Sequence, residues 1–404
     1  MHIGIDASRA TVARRTGAES YALHLIRGLL DCGAGAHDFI LYFRDPPRPG
    51  LFPGGTHRVI SFPRLWTHAR LSFELLTTPR PDVLFVPAHV LPAIHPLPSV
   101  VTVHDLGYRY FPGAHPLAQR LYLDWSTRFS AHAATRVIAD SCATQRDLIR
   151  FYGVPAEKIA VVYPGRDESL RRVDPAPARA KYDLPENYLL HVGTLQPRKN
   201  LLRLIEAFQA IRDTASYAMR NTQFASPMTN LQLLLVGKPG WLSESILAKA
   251  RALAPTVRLL DYVPDEDLAG LYSGARAFVF PSLYEGFGFP VLEAMACGAP
   301  VVCADTSSLP EIVGDPSAGS GQAAALLVDP GDTRALASAI TRVLSDPGLR
   351  AALVARGYAQ AQKFSWARAA RETLAVLEDV GGRPAIRNRG TLRAKRSPPA
   401  RSGS

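Results

Sequence analysis

Long hydrophobic runs are missing from this sequence. No stretch approaches the roughly eighteen uninterrupted apolar residues of a membrane-spanning helix, so we expect none. A strand-like segment begins at His2, and no charged region followed by an apolar one precedes it, so we expect no secretory signal. The absences favour a cytoplasmic protein in a reducing environment. The few cysteines lack the spacing of a metal site or a disulfide framework; they are Cys32, Cys142, Cys297 and Cys303.

A phosphate-binding P-loop is also missing, because no glycine-rich loop ends in Gly-Lys-Ser or Gly-Lys-Thr. An acidic run at Asp265–Asp267 imitates an Asp-x-Asp metal motif. It follows Pro264 and precedes Leu268, a position where acidic side chains cap a helix and complement its dipole. We therefore expect a helix to start here and no metal to bind. We also expect no cofactor.

The composition is that of a globular protein with two domains of ordinary size, since 47% of the 404 residues are hydrophobic and 20% are charged. The net charge is +11, and much of it lies in residues 381–404, which contain seven basic and no acidic side chains. This Pro-, Arg- and Ser-containing tail is predicted to be disordered and solvated. We expect no specific nucleic-acid partner.

Short apolar strands alternate with helices along most of the chain, which predicts an α/β fold with two doubly wound parallel sheets. The first domain is predicted at residues 1–165, a linker at 166–186 and the second domain at 187–365. A helix at 366–380 is predicted to return to the first domain. Such domains bind ligands between the carboxyl ends of their strands. The predicted strands include Val83–Val86, Val100–Val103, Val137–Ala139, Ile159–Val162, Tyr188–Val192, Leu231–Val236, Val257–Leu260, Ala277–Phe280, Pro300–Cys303 and Ala325–Val328. The predicted helices include Ala18–Leu30, Ala143–Phe151, Leu201–Ile211, Asp265–Gly274, Phe289–Ala296 and Asp332–Leu344, with a surface insertion at Tyr217–Asn230.

The strongest local signal is the segment Pro281–Met295, in which a strand ends, a glycine-containing turn follows and a helix begins near Phe289. Glycines let a backbone approach a ligand, and a helix N-terminus favours anions, so the turn suits a diphosphate. Glu293 is placed to hold two vicinal ribose hydroxyls and Glu285 to hold a second sugar. The alternative is that both glutamates are solvated. The residues of the turn are Gly286, Phe287, Gly288 and Phe289.

Four further residues, in three segments, lie at or after the ends of predicted strands and face the same region. Arg198 and Lys199 form a cationic pair suited to a diphosphate, or else a solvated pair capped by Asn200. Gly17 ends a loop that begins after the first strand, which is alternatively a plain exposed turn. His104 ends another strand beside Asp105, and such a pair is often only a packed hydrogen bond.

The runs Glu-Gly-Phe-Gly-Phe-Pro and Glu-Ala-Met-Ala-Cys-Gly, with their glutamates eight apart, resemble the Glu-x7-Glu motif of the retaining GT-B glycosyltransferases of family 4, with a mannosyltransferase-like character. The resemblance extends up to Val380. It implies a GT-B fold, with two Rossmann-like domains facing a central cleft. It also implies transfer of a hexose, with GDP-mannose as the leading donor, to a hydroxyl of a glycan or lipid-linked acceptor in cell-surface polysaccharide synthesis.

The resemblance also implies residue roles. Lys199 matches the family's phosphate-binding lysine; the family's arginine position is Thr194 here, so Arg198 is expected to replace it. His104 is expected to contact the transferred sugar. Gly17 matches a loop that closes over the donor phosphates, although the family often has two glycines there. The loop also contains Arg14, Arg15 and Thr16.

Residues 65–73 mix apolar and basic side chains at helical spacing. They are expected either to rest on an anionic membrane, which would place the protein at the inner membrane face, or to form an ordinary packed helix. Two other functions are compatible with the sequence. One is a GT-B-like sugar-nucleotide 2-epimerase, and the other is a non-catalytic partner subunit that binds a sugar nucleotide.

Overall fold

The computed structural model describes residues 1–12, 17–63, 65–221, 230–314 and 322–382. Two parallel sheets dominate these ranges. The N-terminal unit contains a seven-stranded sheet of order β3-β2-β1-β4-β5-β6-β7, and the C-terminal unit a six-stranded sheet of order β10-β9-β8-β11-β12-β13. In each sheet the order reverses beside the first strand, which creates the crevice where doubly wound sheets bind ligands.

The N-terminal unit is built from β-branched strands buried on both faces, as a parallel sheet covered by helices requires. Its edge strand β3 is short and mostly exposed. Its strands are β1 (His2–Asp6), β2 (Asp38–Phe43), β3 (Thr56–Val59), β4 (Val83–Val86), β5 (Ser99–Val103), β6 (Arg136–Ala139) and β7 (Ile159–Val161). Its helices are α1 (Gly17–Cys32), α2 (Ser72–Thr77), α3 (Gly107–Tyr110), α4 (Leu117–Ala133) and α5 (Cys142–Tyr152), with a π-helical turn at Trp66–Leu71 and 3-10 turns at Ser8–Thr11, Pro112–Ala114 and Ala156–Lys158.

The C-terminal unit repeats the same alternation. Its strands are β8 (Tyr188–Val192), β9 (Gln232–Val236), β10 (Val257–Leu260), β11 (Ala277–Phe280), β12 (Val301–Ala304) and β13 (Ala325–Val328). The helices after β7 are α6 (Ala176–Lys181), α7 (Leu201–Asn221), α8 (Glu244–Ala252), α9 (Asp265–Gly274), α10 (Phe289–Ala296), α11 (Leu309–Val313), α12 (Thr333–Ser345), α13 (Pro347–Ala361) and α14 (Trp366–Gly381), with a 3-10 turn at Pro197–Lys199.

The last helix, α14, packs on α1 and belongs to the core of the N-terminal unit. The two helices approach closely at Gly28, where an added Cβ would lie 2.9 Å from that of Ala370. The chain crosses between the units at Gly165, which lies directly against the backbone of Ser365 and Trp366. A side chain at Gly165 would overlap that backbone. The chain therefore leaves the N-terminal unit and returns to it at the same place, beside the crevice.

The predicted fold class, α/β with doubly wound parallel sheets, is confirmed, and a helix does begin at Asp265. The insertion predicted at Tyr217–Asn230 was wrong in its first part, because α7 continues through Asn221. Its remainder largely lies outside the described residues, as do Arg14, Arg15, Thr16 and nearly all of the basic tail. Within the described ranges, none of the helices combines the length and apolarity needed to cross a bilayer.

Candidate active site

A cleft of about 580 Å³ lies between the carboxyl ends of the two sheets and takes its lining from both units. It brings together every residue that the sequence singled out for a site. These are Gly17, His104, Arg198, Lys199, Glu285, Gly286, Phe287, Gly288, Phe289 and Glu293. Sequence reasoning missed other lining residues, among them Asp140, Asp167, Asp265 and Trp366. Of these, Asp140 carried a usable signal, because it directly follows β6 at the same sheet edge as His104.

The loop between β11 and α10 places Glu285 in the cleft and is held by the turn before α11. The backbone N–H of Glu285 donates to Ser307 Oγ at 2.9 Å, and Ser308 Oγ donates to the Glu285 carbonyl at 3.0 Å. Gly286 passes directly under the carbonyl oxygen of His104, leaving no room for a Cβ. Gly288 has φ +122°, a conformation that other residues rarely adopt.

Glu285 forms a buried charge cluster with both predicted cations. Lys199 Nζ lies 2.6 Å from Glu285 Oε1, and Arg198 Nη1 lies 3.4 Å from Oε2. Burial alone would raise the pKa of Glu285, but Lys199 and Arg198 outweigh it and hold that pKa below its usual value. Burial lowers the pKa of Lys199. Arg198 Nη1 also donates to the Tyr284 carbonyl at 2.7 Å, and the Lys199 ammonium lies 4.7 Å from the ring centre of Phe280.

His104 has a different partner from its sequence neighbour Asp105. Its Nδ1 lies 2.7 Å from Asp140 Oδ2, whereas Asp105 accepts the N–H of Gly107 at 2.8 Å. Burial works against the charged imidazole, but the Asp140 carboxylate outweighs it and raises the pKa of His104. The pair therefore places a histidine whose charged form is favoured by Asp140 on the wall opposite Glu285.

Glu293 occupies a contrasting environment one turn inside α10. It accepts the Tyr272 hydroxyl at 2.9 Å. Burial raises its pKa to about 7, and the carboxylates of Asp265 and Asp167 add to the effect. Among the residues that the structure describes, no cation lowers the pKa of Glu293 as Lys199 lowers that of Glu285. The two glutamates thus differ in charge at neutral pH, with Glu285 ionised and Glu293 near its midpoint.

Gly17 is the first residue of α1 and faces Phe289 across the cleft. A Cβ there would lie 3.8 Å from the Phe289 ring, an ordinary contact, so sterics do not demand glycine at this position. Asp267, in the acidic run that starts α9, accepts Lys181 Nζ at 2.6 Å. In the described part of the chain, no group of three or more His, Cys, Asp or Glu side chains is arranged to hold a metal ion.

Two family models match the chain, "Glycosyltransferase Family 4" over residues 15–170 and "Glycosyl transferases group 1" over residues 176–360. The O-antigen chain mannosyltransferase B of Escherichia coli is 36% identical over 282 residues, covering 68% of this chain and 69% of that protein. The chain belongs to the group 1 glycosyltransferases.

Other relatives of this glycosyltransferase match over smaller shares of their own length. A D-inositol 3-phosphate glycosyltransferase of Kineococcus radiotolerans is 36% identical over 261 residues, covering 60% of this chain and 57% of the relative. The serotype-specific mannosyltransferase WbdA of Escherichia coli is 28% identical over 287 residues, covering 68% of this chain but only 32% of the relative. This glycosyltransferase therefore spans about a third of the length of WbdA.

Solved structures confirm the predicted GT-B fold. A sucrose-phosphate synthase from Thermosynechococcus elongatus superposes with a TM-score of 0.71 at 23% identity, covering 94% of this chain and 99% of the other. The glycosyltransferase WaaG, involved in lipopolysaccharide biosynthesis, superposes with a TM-score of 0.68 at 15% identity, covering 93% and 99%. The Anabaena protein HepE in complex with UDP-glucose gives 0.67 at 20% identity, covering 94% and 99%. At these identities the likeness concerns the fold alone.

Proposed function

We propose that this glycosyltransferase transfers a mannosyl group, with retained configuration, from GDP-mannose to a hydroxyl of a glycan or lipid-linked acceptor in cell-surface polysaccharide synthesis. The buried cluster of Glu285, Lys199 and Arg198 carries the proposal, because it places two cations and one carboxylate where a diphosphate and a sugar would meet. The 36% identity to a protein named O-antigen chain mannosyltransferase B supports mannose as the hexose.

The leaving diphosphate is the centre of the proposed reaction. Lys199 and Arg198 would neutralise its growing negative charge, as preorganised cations do in other transfer sites. Pro290 has no N–H, so at the start of α10 we propose that the amides of the loop Gly286–Phe289 contact the phosphates. Gly17, on the opposite wall, would close over the same phosphates. With these cations in place, we propose no metal requirement and no cofactor.

Glu285 would then hold the transferred sugar. In the structure it is paired with Lys199 and Arg198. A diphosphate that takes up part of the positive charge would leave the carboxylate able to accept sugar hydroxyls. His104, paired with Asp140, would contact the same sugar from the other wall. Glu293 would accept the vicinal hydroxyls of the ribose.

The proposed stereochemistry rests on the carboxylate that would lie beside the transferred sugar. Retention through two displacements requires a carboxylate nucleophile beneath the sugar. Glu285, the ionised carboxylate proposed to face the sugar, is engaged by two cations, which lowers its nucleophilicity. We therefore propose front-face attack by the acceptor hydroxyl, with the leaving phosphate accepting its proton through an oxocarbenium-like transition state.

A nucleotide-sugar screen by thermal shift tests the donor. GDP-mannose and GDP should raise Tm more than UDP-glucose and UDP, because ligands that bind only the folded state stabilise it. Transfer to octyl α-mannoside, with the product's anomeric configuration read by NMR, tests the reaction. An inverted product would overturn the mechanism. Loss of donor without acceptor, with a changed configuration at C2, would favour the 2-epimerase. Binding without any turnover would favour the non-catalytic partner subunit.

We also propose a peripheral contact with an anionic membrane on the N-terminal unit. Within residues 65–73, Trp66 and Leu71 are buried, and Arg70 is paired with Glu74 at 2.9 Å, so much of the segment is an ordinary packed element. The ends of the segment are exposed and could contact a membrane, since Leu65 is 69% and Phe73 is 59% exposed. The adjacent helix α4 adds an exposed apolar and aromatic surface. Its members are Leu117, Leu121, Tyr122 and Trp125.

The two exposed surfaces adjoin each other, because His68 contacts the Tyr122 hydroxyl at 3.1 Å and lies 5.8 Å from the Trp125 ring. Aromatic and aliphatic side chains beside arginines are typical of surfaces that rest in a lipid interface. Arg128 on α4 is exposed. A lipid-linked acceptor would reach the cleft from such a surface.

A further inference from the structure

One helix of the N-terminal unit, α5, is held by the C-terminal unit at its N-terminus. The carboxylate of Glu311, on α11, accepts the backbone N–H groups of Cys142 at 2.8 Å and Ala143 at 2.7 Å. The Tyr163 hydroxyl donates to the same carboxylate at 3.1 Å, and Arg146 Nη2 lies 3.6 Å from it. A side chain remote in sequence thus caps this helix from across the cleft.

The first backbone amides of a helix have no i→i−4 partner within it, and side chains satisfy three of those at the start of α5. Within α5's own unit, Ser141 Oγ accepts the N–H of Thr144 at 3.1 Å. Glu311 accepts the other two, those of Cys142 and Ala143. Its negative charge also complements the helix dipole. Two of the three contacts therefore depend on the relative position of the two units.

The same helix holds the loop on either side of Glu285. Ser141 Oγ donates to the Gly286 carbonyl at 2.7 Å. The Tyr284 hydroxyl donates to Asp147 Oδ2 at 2.7 Å, and it accepts the N–H of Leu106 at 3.2 Å. Both neighbours of Glu285 are thus bound to the start or the middle of α5.

The start of α5 also holds the residue that pairs with His104. Asp140, the partner of His104, directly precedes the capping residue Ser141. A shift of the α5 N-terminus would therefore move the His104–Asp140 pair and the Glu285 loop relative to each other. Transfer requires both walls in one geometry, whereas the residues proposed to bind the nucleotide, apart from Gly17, lie on the C-terminal wall.

We propose that Glu311 is a positioning residue for glycosyl transfer. By capping α5 it keeps the His104–Asp140 pair and the Glu285 loop in register across the cleft. Its partners are Cys142, Ala143, Tyr163 and Arg146, none of which is assigned to the donor, so it acts through α5. The inference rests on the proposed transfer in this cleft.

Glu311→Ala and Glu311→Gln test the proposal with GDP-mannose and octyl α-mannoside. Loss of the carboxylate should lower kcat by about 10- to 100-fold, because a small misplacement of reacting groups has a cost of that order. The Kd of GDP, measured by calorimetry, should change less than about threefold, since nucleotide contacts are retained. Glu311→Gln keeps one acceptor oxygen and should recover part of kcat. Exchange of the Cys142 and Ala143 amides with deuterium should be faster in both variants.

Asp332→Ala is the matched control. Asp332 caps α12 within the C-terminal unit, accepting the N–H groups of Arg334 at 2.8 Å and Ala335 at 2.9 Å. It should lower Tm as Glu311→Ala does while leaving kcat unchanged. An unchanged kcat in Glu311→Ala, or an equal loss of kcat in both alanine variants, would overturn the positioning role. So would a parallel loss of GDP affinity in Glu311→Ala.

A failure of the proposed donor gives a different result. In that case wild-type protein would neither bind GDP nor turn over GDP-mannose, yet the conformational readouts still apply. Glu311→Ala should then show faster exchange at the start of α5 and a larger radius of gyration in solution scattering, with neither change in Asp332→Ala. Wild-type exchange and dimensions in Glu311→Ala would overturn the positioning role regardless of donor.

Discussion

The carboxylate of Glu285 lies between two cations, with Lys199 at 2.6 Å and Arg198 at 3.4 Å, and Glu285 and Lys199 are both buried. Such a cluster stabilises the fold only while it is complete, because a buried charge without its partner is strongly unfavourable. The same cluster is the proposed meeting point of diphosphate and sugar. Stability and transfer should therefore respond together when its charge balance changes.

Glu285→Gln removes the negative charge and keeps the shape of the side chain. We expect the free energy of unfolding to fall by about 3 kcal/mol, because Lys199 loses its counter-ion in a buried place. Transfer should fall by about 100- to 1000-fold. Chemical denaturation and the rate of transfer from GDP-mannose to octyl α-mannoside measure the two effects.

Glu206→Gln is the control for that substitution. Glu206 pairs with Lys249 at 3.1 Å on the surface, so its neutralisation should change stability by no more than about 0.5 kcal/mol and leave transfer intact. Wild-type transfer by the Glu285 variant would show that the sugar is held elsewhere.

Glu293 contributes to the stability of the fold in a pH-dependent way, and in contrast to Glu285 it does so in its protonated form. Burial raises its pKa from 4.5 to about 7, so the folded protein binds this proton more tightly than the unfolded chain does. The stabilisation is complete below pH 4.5 and is lost as the pH rises through about 7. Glu293→Gln, which cannot ionise, should therefore have a higher Tm than the wild type at pH 8 and a similar Tm at pH 5. A lower Tm at pH 8 would contradict the burial argument.

Nucleotide binding should show the ionisation of Glu293 directly. Ribose hydroxyls donate to a carboxylate, so GDP binding should tighten by about tenfold between pH 6 and pH 8 as Glu293 ionises around its pKa of about 7. Titration of the GDP phosphates affects wild type and Glu293→Gln equally, so the readout is the difference between their two pH profiles in calorimetry. Identical profiles would place the ribose away from Glu293.

At the scale of elements, the loop between β11 and α10 depends on one close approach. Gly286 lies under the His104 carbonyl, and a Cβ added to Gly286 would lie only 2.7 Å from the Asp105 Cβ. Gly286→Ala should push the loop from the N-terminal wall, move Glu285 and lower transfer by about 100-fold. Gly113→Ala is a matched control, because nothing lies within 4 Å of an added Cβ there. Equal activity in both variants would show that the loop relaxes without consequence.

Elements with strong apolar patterns were predictable from the sequence. Strands β4, β8, β10, β11 and β13 begin and end where the runs of β-branched and aromatic residues do, and α9 and α10 likewise match. Strand β3, Thr56–Val59, was missed because it is polar and exposed at the sheet edge. The helix α13, Pro347–Ala361, was missed as well, since few of its residues are buried and its apolar stripe is weak.

The site was predictable where its residues share one motif and not where they meet only in three dimensions. Glu285, Glu293 and the glycines between them are contiguous in sequence, so their common location followed from the strand–turn–helix pattern. The partner of His104 is Asp140, 36 residues away, and the cap of α5 is Glu311. Local spacing cannot indicate such contacts, because they depend on how two units are placed against each other.

At the scale of the whole molecule, the proposed membrane contact predicts a charge-dependent association. Leu121→Gln, on α4, should reduce flotation with vesicles of phosphatidylglycerol and phosphatidylcholine several-fold, because it removes apolar contact from the interface. Binding should be weaker to phosphatidylcholine alone and at high salt. Leu242→Gln is a control of equal exposure, 58% in each case, on the C-terminal unit. If both variants reduced flotation equally, or if neither changed it, the result would argue against a membrane contact through this surface.

Trp366 lies where the chain returns to the N-terminal unit, and its indole lines the cleft. Its ring is stacked 5.3 Å from His24 and 6.4 Å from Phe289. The other three tryptophans have different surroundings, because Trp66 is buried, Trp125 is exposed on α4, and the Trp241 ring lies 6.5 Å from that of His115. The protein thus carries a built-in optical probe, whose emission would follow occupancy of the cleft without any attached label.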